Sequence, residues 1–176
     1  MSVTLPILAA VMAASVVGGN FVTTNPAPVD TTYLSAAVGM FDVFDNAERN
    51  VATDMRLEYS PSSWALYKHG ILTVRPFFGA EFTTDGAVYG LGGLAFDMQY
   101  YNWYVTPSFG GGAWHNGGGK DMGSAIEFRS QVETGYQFDN HARVGVSLSH
   151  ISNGNIGDEN PGAEQISVYY HHPVNF

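Results

Sequence analysis

The stretch Ile126-Glu127-Phe128-Arg129-Ser130-Gln131-Val132-Glu133-Thr134-Gly135-Tyr136-Gln137-Phe138 decides the fold. Its period is two. Ile126, Phe128, Val132, Tyr136 and Phe138 share one face with Ser130 and Thr134, while Glu127, Arg129, Gln131, Glu133 and Gln137 share the other. A period of two is that of a β-strand. The same division recurs upstream: Met55, Leu57 and Tyr59 oppose Arg56 and Glu58, and Leu72, Val74, Phe78 and Phe82 oppose Thr73, Arg75 and Glu81. In a soluble barrel the charged face would point outward. Charged residues make up only 13% of this chain, about half the usual share, which is too few to coat a water-facing exterior. The inverted arrangement fits better, with apolar residues facing lipid and the charges Arg56, Glu58, Arg75, Glu81, Glu127, Arg129 and Glu133 forming a compensated network inside. A soluble ligand-binding barrel of the lipocalin type is the alternative.

Working outward from that strand, turn chemistry at Asp45-Asn46, Pro61-Ser62-Ser63, Thr84-Asp85-Gly86, Asn116 to Gly119 and Asp139-Asn140 separates eight strands, at about 32–43, 52–60, 70–82, 87–97, 102–114, 123–138, 142–151 and 164–175. No stretch carries a helical apolar stripe, so the class is all-β. Most of these runs match the ~9–11 residues with which a tilted strand crosses a bilayer. Eight is an even number large enough to close an antiparallel transmembrane barrel filled by its own side chains. Pro76 and Pro107, which cannot donate to a ladder, are expected at bulges. Trp64, Tyr67, Tyr100, Tyr101, Trp103, Tyr104, Tyr136 and Phe138 bunch at the turns of one rim, as in an interfacial girdle. The last strand ends on Phe176, a terminal aromatic that looks like the assembly signal of bacterial outer-membrane barrels.

The first residues differ in kind. Val3 to Gly18 is almost wholly apolar, and residues 1–19 read as an export signal, although no Lys or Arg precedes them. Residues 20–176 then form a single barrel domain. Both termini belong in the periplasm, and the connections near 44–51, 83–86, 115–122 and 152–163 belong outside the cell. The net charge of −9 argues against nucleic acid as a partner, and the absence of cysteine excludes disulfides and thiolate metal sites.

Strand parity then singles out one group of residues. Val144, Val146 and Leu148 form a lipid-facing row that His150 and Ser152 continue, and across the loop Glu164 shares parity with Ile166 and Val168. Polar groups on a lipid-facing wall are costly unless they bond to one another or meet headgroups. A hydroxyl, a histidine base and a carboxylate that fixes the imidazole are the parts of a hydrolytic triad. Residues two apart lie ~6.6 Å apart along a strand, so the chain has to bend or end near Ile151. Asn153, by adjacency, and Asn160 are candidate oxyanion donors, as are loop backbone N–H groups.

The segment from His150 through Ser152, Asn153, Asn160, Pro161 and Gly162 to Glu164 resembles the signature of the lipid A 3-O-deacylase (PagL) family of outer-membrane enzymes, and a looser likeness includes Gly119 to Ser130. The resemblance implies an eight-stranded barrel in the bacterial outer membrane and an esterase that removes the 3-O-linked acyl chain of lipid A. It assigns Ser152 as nucleophile, His150 as base, Glu164 as orienting acid, and Asn153 or Asn160 near the oxyanion, with no cofactor and no metal. Some members carry Gly at the position of Asn155, whereas here the glycine is Gly154, which leaves the backbone oxyanion donor open. The implied partners are lipid A or lipopolysaccharide and outer-membrane lipids, with a homodimer left open. A non-enzymatic small outer-membrane barrel, structural or adhesive, is the competing reading. Asp158-Glu159 reads as a solvated loop, with a divalent cation bridging lipopolysaccharide phosphates as the alternative; Gly117 to Lys120 reads as an outer loop whose lysine could meet a lipid phosphate; and His171-His172 splits across two faces.

Overall fold

The computed structural model describes residues 31–44 and 51–174, so the expected signal segment and the terminal Phe176 lie outside the described residues. Among these residues the strands are β1 (Thr32–Phe41), β2 (Ala52–Ser60), β3 (Tyr67–His69), β4 (Leu72–Thr83), β5 (Val88–Tyr100), β6 (Trp103–His115), β7 (Ile126–Gln137), β8 (Arg143–Ser152) and β9 (Ala163–Val174). Eight of them form one antiparallel ring. The order β2-β1-β9-β8-β7-β6-β5-β4 closes on itself through pairing of β2 with β4, from Asp54↔Thr83 to Tyr59↔Phe78. Closure leaves no ring edge unpaired, which is the condition for crossing a bilayer with strands. The three residues of β3 form a short hairpin flank on β4 at the end where Thr32 and Val174 lie. The connections 42–51, 84–87, 116–125 and 153–162 share the opposite end. Three of them run to ten residues, against two and five for the connections 101–102 and 138–142 at the other end.

Alternation places the apolar rows outside, where Leu34, Val38, Met55, Leu57, Phe78, Phe96, Phe109, Val146, Ile166 and Val168 are exposed. The inside holds an ionic network. In the half nearer the long loops, Arg56 is fully buried; its Nε donates to Asp54 at 2.6 Å, and its guanidinium also reaches Glu81, Gln131 and Gln165. Arg129 pairs with Glu58 at 2.5 Å. In the other half, Asp97 accepts from both Arg75 and Arg143, at 3.1 and 2.9 Å. The Tyr33 ring lies between those two guanidiniums, 5.0 and 4.8 Å from its centroid. Toward the loops the lumen is closed by an apolar cap that includes Phe41, Tyr89, Trp114, Met122, Ile151 and Ala163, with Phe41 stacked on Trp114 at 5.6 Å. The interior is therefore largely filled by the chain's own side chains.

Three expectations need correction. The strands do not bulge at the prolines: Pro76↔Leu94 and Pro107↔Val132 keep the register of their neighbours. Pro76 lies beyond the last β2–β4 pair, and opposite Pro107 only the β5–β6 ladder lapses, so neither ring requires a register shift. Tyr104 does not belong to the girdle. It is buried in the lumen, where its hydroxyl donates to Glu133 at 2.5 Å. Glu127 is not part of the compensated network, because both of its carboxylate oxygens are buried without a hydrogen-bond partner. Conversely, Asp54, Asp97, Arg143 and His171 are network members that the charge pattern did not single out.

Candidate active site

Register brings the candidate residues together. Along β8 and β9 the outward pairs run Val144↔Tyr170, Val146↔Val168, Leu148↔Ile166 and then His150↔Glu164. The two polar residues are thus cross-strand partners at the loop end of an apolar row, where facing side chains meet. His150 Nδ1–H donates to Glu164 Oε1 at 3.1 Å. The side chains are 33% and 35% exposed, facing neither the lumen nor open water in full. With Nδ1 directed at the carboxylate, the lone pair of Nε2 remains for use as a base.

Ser152 is the last residue of β8 and lies on the same face, beside Phe128 of β7. Phe128 stacks on Phe109, with ring centroids 6.1 Å apart and planes 8° apart, which makes an aromatic shelf at the hydroxyl. The strand does not bend or end at Ile151 as expected: it keeps its register through Ser152 and ends only there. No hydrogen bond joins Ser152 to His150, because residues two apart on a regular strand remain ~6.6 Å apart along its axis. Nucleophile and base in an unliganded site commonly tighten only around substrate.

The loop 153–162 is built on a fully buried asparagine. Asn153 Nδ2 donates to Met122 O at 3.0 Å and to Glu159 O at 2.6 Å, its Oδ1 accepts from the Asn155 backbone N–H at 2.9 Å, and its own N–H donates to Asn160 Oδ1 at 3.0 Å. The expectation that the Asn153 amide faces an oxyanion is therefore corrected: both amide hydrogens are spent on backbone carbonyls, and the residue ties its loop to loop 116–125. Asn160 remains exposed, and its Nδ2 donates to Asn155 Oδ1 at 2.9 Å. Gly154 and Asn155 both adopt left-handed backbone, at φ 64 and 65. Asn tolerates that region better than most residues, which explains how it can stand at a position of this kind. Gly162, at φ 65, lies so close to the imidazole that an added Cβ would meet His150 Cε1 at 3.0 Å.

A second serine–histidine–glutamate set went unrecognised in the sequence. Inside the barrel His171 Nε2 meets Glu133 Oε1 at 2.6 Å and its Nδ1 meets Ser35 Oγ at 2.7 Å. These groups line a cavity of about 50 Å³. That volume suits a few waters and is far below the ~300 Å³ at which small-ligand sites begin. The parity of His171 with Gln165, Ser167 and Tyr169 was the signal that could have placed it inside.

Comparison with known proteins follows the same lines. A family model described as lipid A 3-O-deacylase (PagL) matches residues 32–173. The lipid A deacylase PagL of Pseudomonas aeruginosa is 33% identical over 57 residues, covering 32% of this chain, and the match spans only 33% of that relative's length. The crystal structure of the outer membrane enzyme PagL superposes with a TM-score of 0.59 at 20% identity, covering 81% of this chain and 99% of that one. The Yersinia pestis outer membrane protein Ail, determined in a phospholipid bilayer nanodisc, is a more distant likeness, with a TM-score of 0.37 and 13% identity.

Proposed function

The chain belongs to the lipid A 3-O-deacylase family, and from that premise we propose that it is an outer-membrane esterase that hydrolyses the 3-O-linked acyl chain of lipid A, with Ser152 as nucleophile, His150 as base and Glu164 as orienting acid. The observation that carries the proposal is the His150–Glu164 hydrogen bond on the lipid-facing wall. A general base held by a carboxylate on that wall has no structural use that a pair of apolar residues would not serve better.

Lipid A enters laterally, with its acyl chain against Leu148, Ile166, Val146 and Val168 and its ester at the height of His150. As Ser152 Oγ attacks the ester carbonyl, its proton passes to His150 Nε2 and the carbonyl oxygen becomes an oxyanion. Glu164 stabilises the imidazolium. The oxyanion is met by the exposed Asn160 amide and by loop N–H groups. Collapse of the intermediate breaks the bond to the sugar 3-oxygen, which takes the proton from His150, and leaves an acyl-Ser152. Water, deprotonated by His150, attacks this ester, and the serine is regained as a 3-hydroxy fatty acid leaves.

The test is mass spectrometry of lipid A incubated with the wild type and with Ser152→Ala, each checked for the heat-modifiable gel mobility of a closed barrel. Loss of fatty-acid release with the barrel retained is the expected result. Undiminished release by the folded variant would remove Ser152 from the reaction, and no release by the wild type would favour a non-enzymatic barrel.

A further inference from the structure

The six basic residues among those described are placed unevenly. Arg56, Arg75, Arg129 and Arg143 are consumed in the lumen, and Lys68 stands in β3 at the end opposite the long loops. Among the described residues that leaves Lys120 for the loop-end connections, against Asp42, Asp85, Asp121, Asp158 and Glu159, a formal charge of −4. Lys120 is not offered to a ligand, because it is buried and its ammonium donates to the fully buried Asp42 at 2.9 Å. Asp158 and Glu159, by contrast, are exposed on the very loop that carries the site. Asp121 is also exposed, and the N–H of Gly123 that donates to its carboxylate holds it below the ordinary aspartate range, so it stays ionised. The polar groups beside the site that suit a sugar are uncharged amides, Asn155 and Asn160.

A surface of this kind repels phosphate. A phosphate monoester carries about −1.5 to −2 at neutral pH, and lipid A ordinarily carries two. Resting on the function proposed above, we infer that this outer rim selects lipid A whose phosphate charge has been neutralised, whether by loss of the phosphates or by a bound divalent cation, and recognises the disaccharide through amide hydrogen bonds instead of ion pairs. The selection is made by repulsion: the rim discriminates against the charged headgroup more than it attracts the neutral one. Its reach is set by ionic strength, since a Debye length of about 30 Å at 0.01 M shrinks to about 3 Å at 1 M.

The experiment compares the full-length protein in neutral detergent at low ionic strength on phosphate-free lipid A with EDTA, bisphosphorylated lipid A with EDTA, and bisphosphorylated lipid A with Mg2+. Fields of several kT predict about a tenfold or greater advantage in kcat/KM for the phosphate-free lipid over the bisphosphorylated one in EDTA, carried in KM. The advantage should fall to within about threefold at 0.5 M NaCl, where screening acts over a few ångströms. Recovery with Mg2+ identifies cation neutralisation as a sufficient source, and no recovery identifies loss of phosphate. Asp158→Asn with Glu159→Gln should narrow the preference without altering turnover of the phosphate-free lipid. Equal or faster turnover of the bisphosphorylated lipid in EDTA would overturn the inference. If no lipid is hydrolysed the deacylase reading fails, and the inference is then decided by binding titrations of the same two lipids, where equal affinities would sink it.

Discussion

Replacing Glu164 by Gln isolates the contribution of charge to the site, because the side chain keeps its length and an acceptor oxygen. In the wild type the carboxylate lies 3.1 Å from His150 Nδ1. When the imidazole accepts the serine proton the pair becomes ionic, and two unit charges ~4 Å apart interact by about 4 kcal/mol at a surface-like dielectric of about 20. The two side chains are 33% and 35% exposed, so solvent screening removes roughly half of this and leaves about 2 kcal/mol. Loss of the enforced tautomer adds to the effect, since the Gln amide can also present its N–H to Nδ1. The expected fall in kcat is about 30–150-fold, well short of the ~10⁴-fold loss when a buried triad acid is replaced. KM should hold, because Glu164 acts in the transition state and not on bound lipid. The assay is initial-rate release of 3-hydroxy fatty acid from lipid A in mixed micelles, with gel mobility verifying the barrel. Activity within threefold of wild type would refute the orienting role. A loss shared equally by kcat and KM would point to a displaced loop instead.

Other substitutions probe the scaffold. Arg56→Ala should leave the buried Asp54 without its guanidinium partner and Glu81 with only the longer pairing to Arg129 at 3.7 Å and cost about 3–5 kcal/mol, read as a lowered urea midpoint in detergent, whereas a loss of stability under about 1 kcal/mol would mean that the lumen network is not coupled to folding. Gly162→Ala meets both a left-handed backbone and the His150 ring; about 1–2 kcal/mol of strain should fall on the site, lowering turnover about tenfold while the barrel loses no more than that strain in unfolding free energy. Val168→Arg places a charge on the exposed outer wall beside Val146 and should destabilise the lipid-embedded barrel by about 2–4 kcal/mol, a penalty that would be absent if that face met water.

Legibility in the sequence followed the physics of each feature. Wherever two solvents lie on the two sides of one strand, side-chain parity records them, which is why residues 126–137 and the strands near 55 and 75 could be assigned to wall and lumen correctly. The candidate site was legible for the same reason: His150 and Glu164 were visible as interruptions of apolar rows, and register then made them partners. Tyr104 was misplaced because an aromatic at a strand start was judged by composition, when its parity with Thr106 and Ser108 already turned it inward. Asn153 was misjudged because adjacency to Ser152 is a one-dimensional fact. What claims its amide is Met122 O and Glu159 O, carbonyls that only the meeting of two loops brings near.

The two serine–histidine–glutamate sets show what geometry alone leaves undecided. The lumen set is the tighter one, with His171 at 2.6 and 2.7 Å from its partners, while the wall set holds one bond at 3.1 Å and an unengaged serine. Judged by distance, catalysis would be assigned to Ser35. Yet the lumen set faces a cavity of about 50 Å³, too small to take an acyl chain or its headgroup. The wall set opens onto the outward-facing apolar row of Leu148, Ile166, Val146 and Val168, against which an acyl chain can lie. A closed hydrogen-bonded set saturates its groups and so rigidifies a polar interior. An incomplete one keeps a lone pair and a hydroxyl available to a reactant. The looser arrangement at the membrane surface is therefore the one consistent with chemistry. The same reasoning predicts that His171→Gln lowers the unfolding midpoint while sparing turnover, and His150→Gln does the reverse.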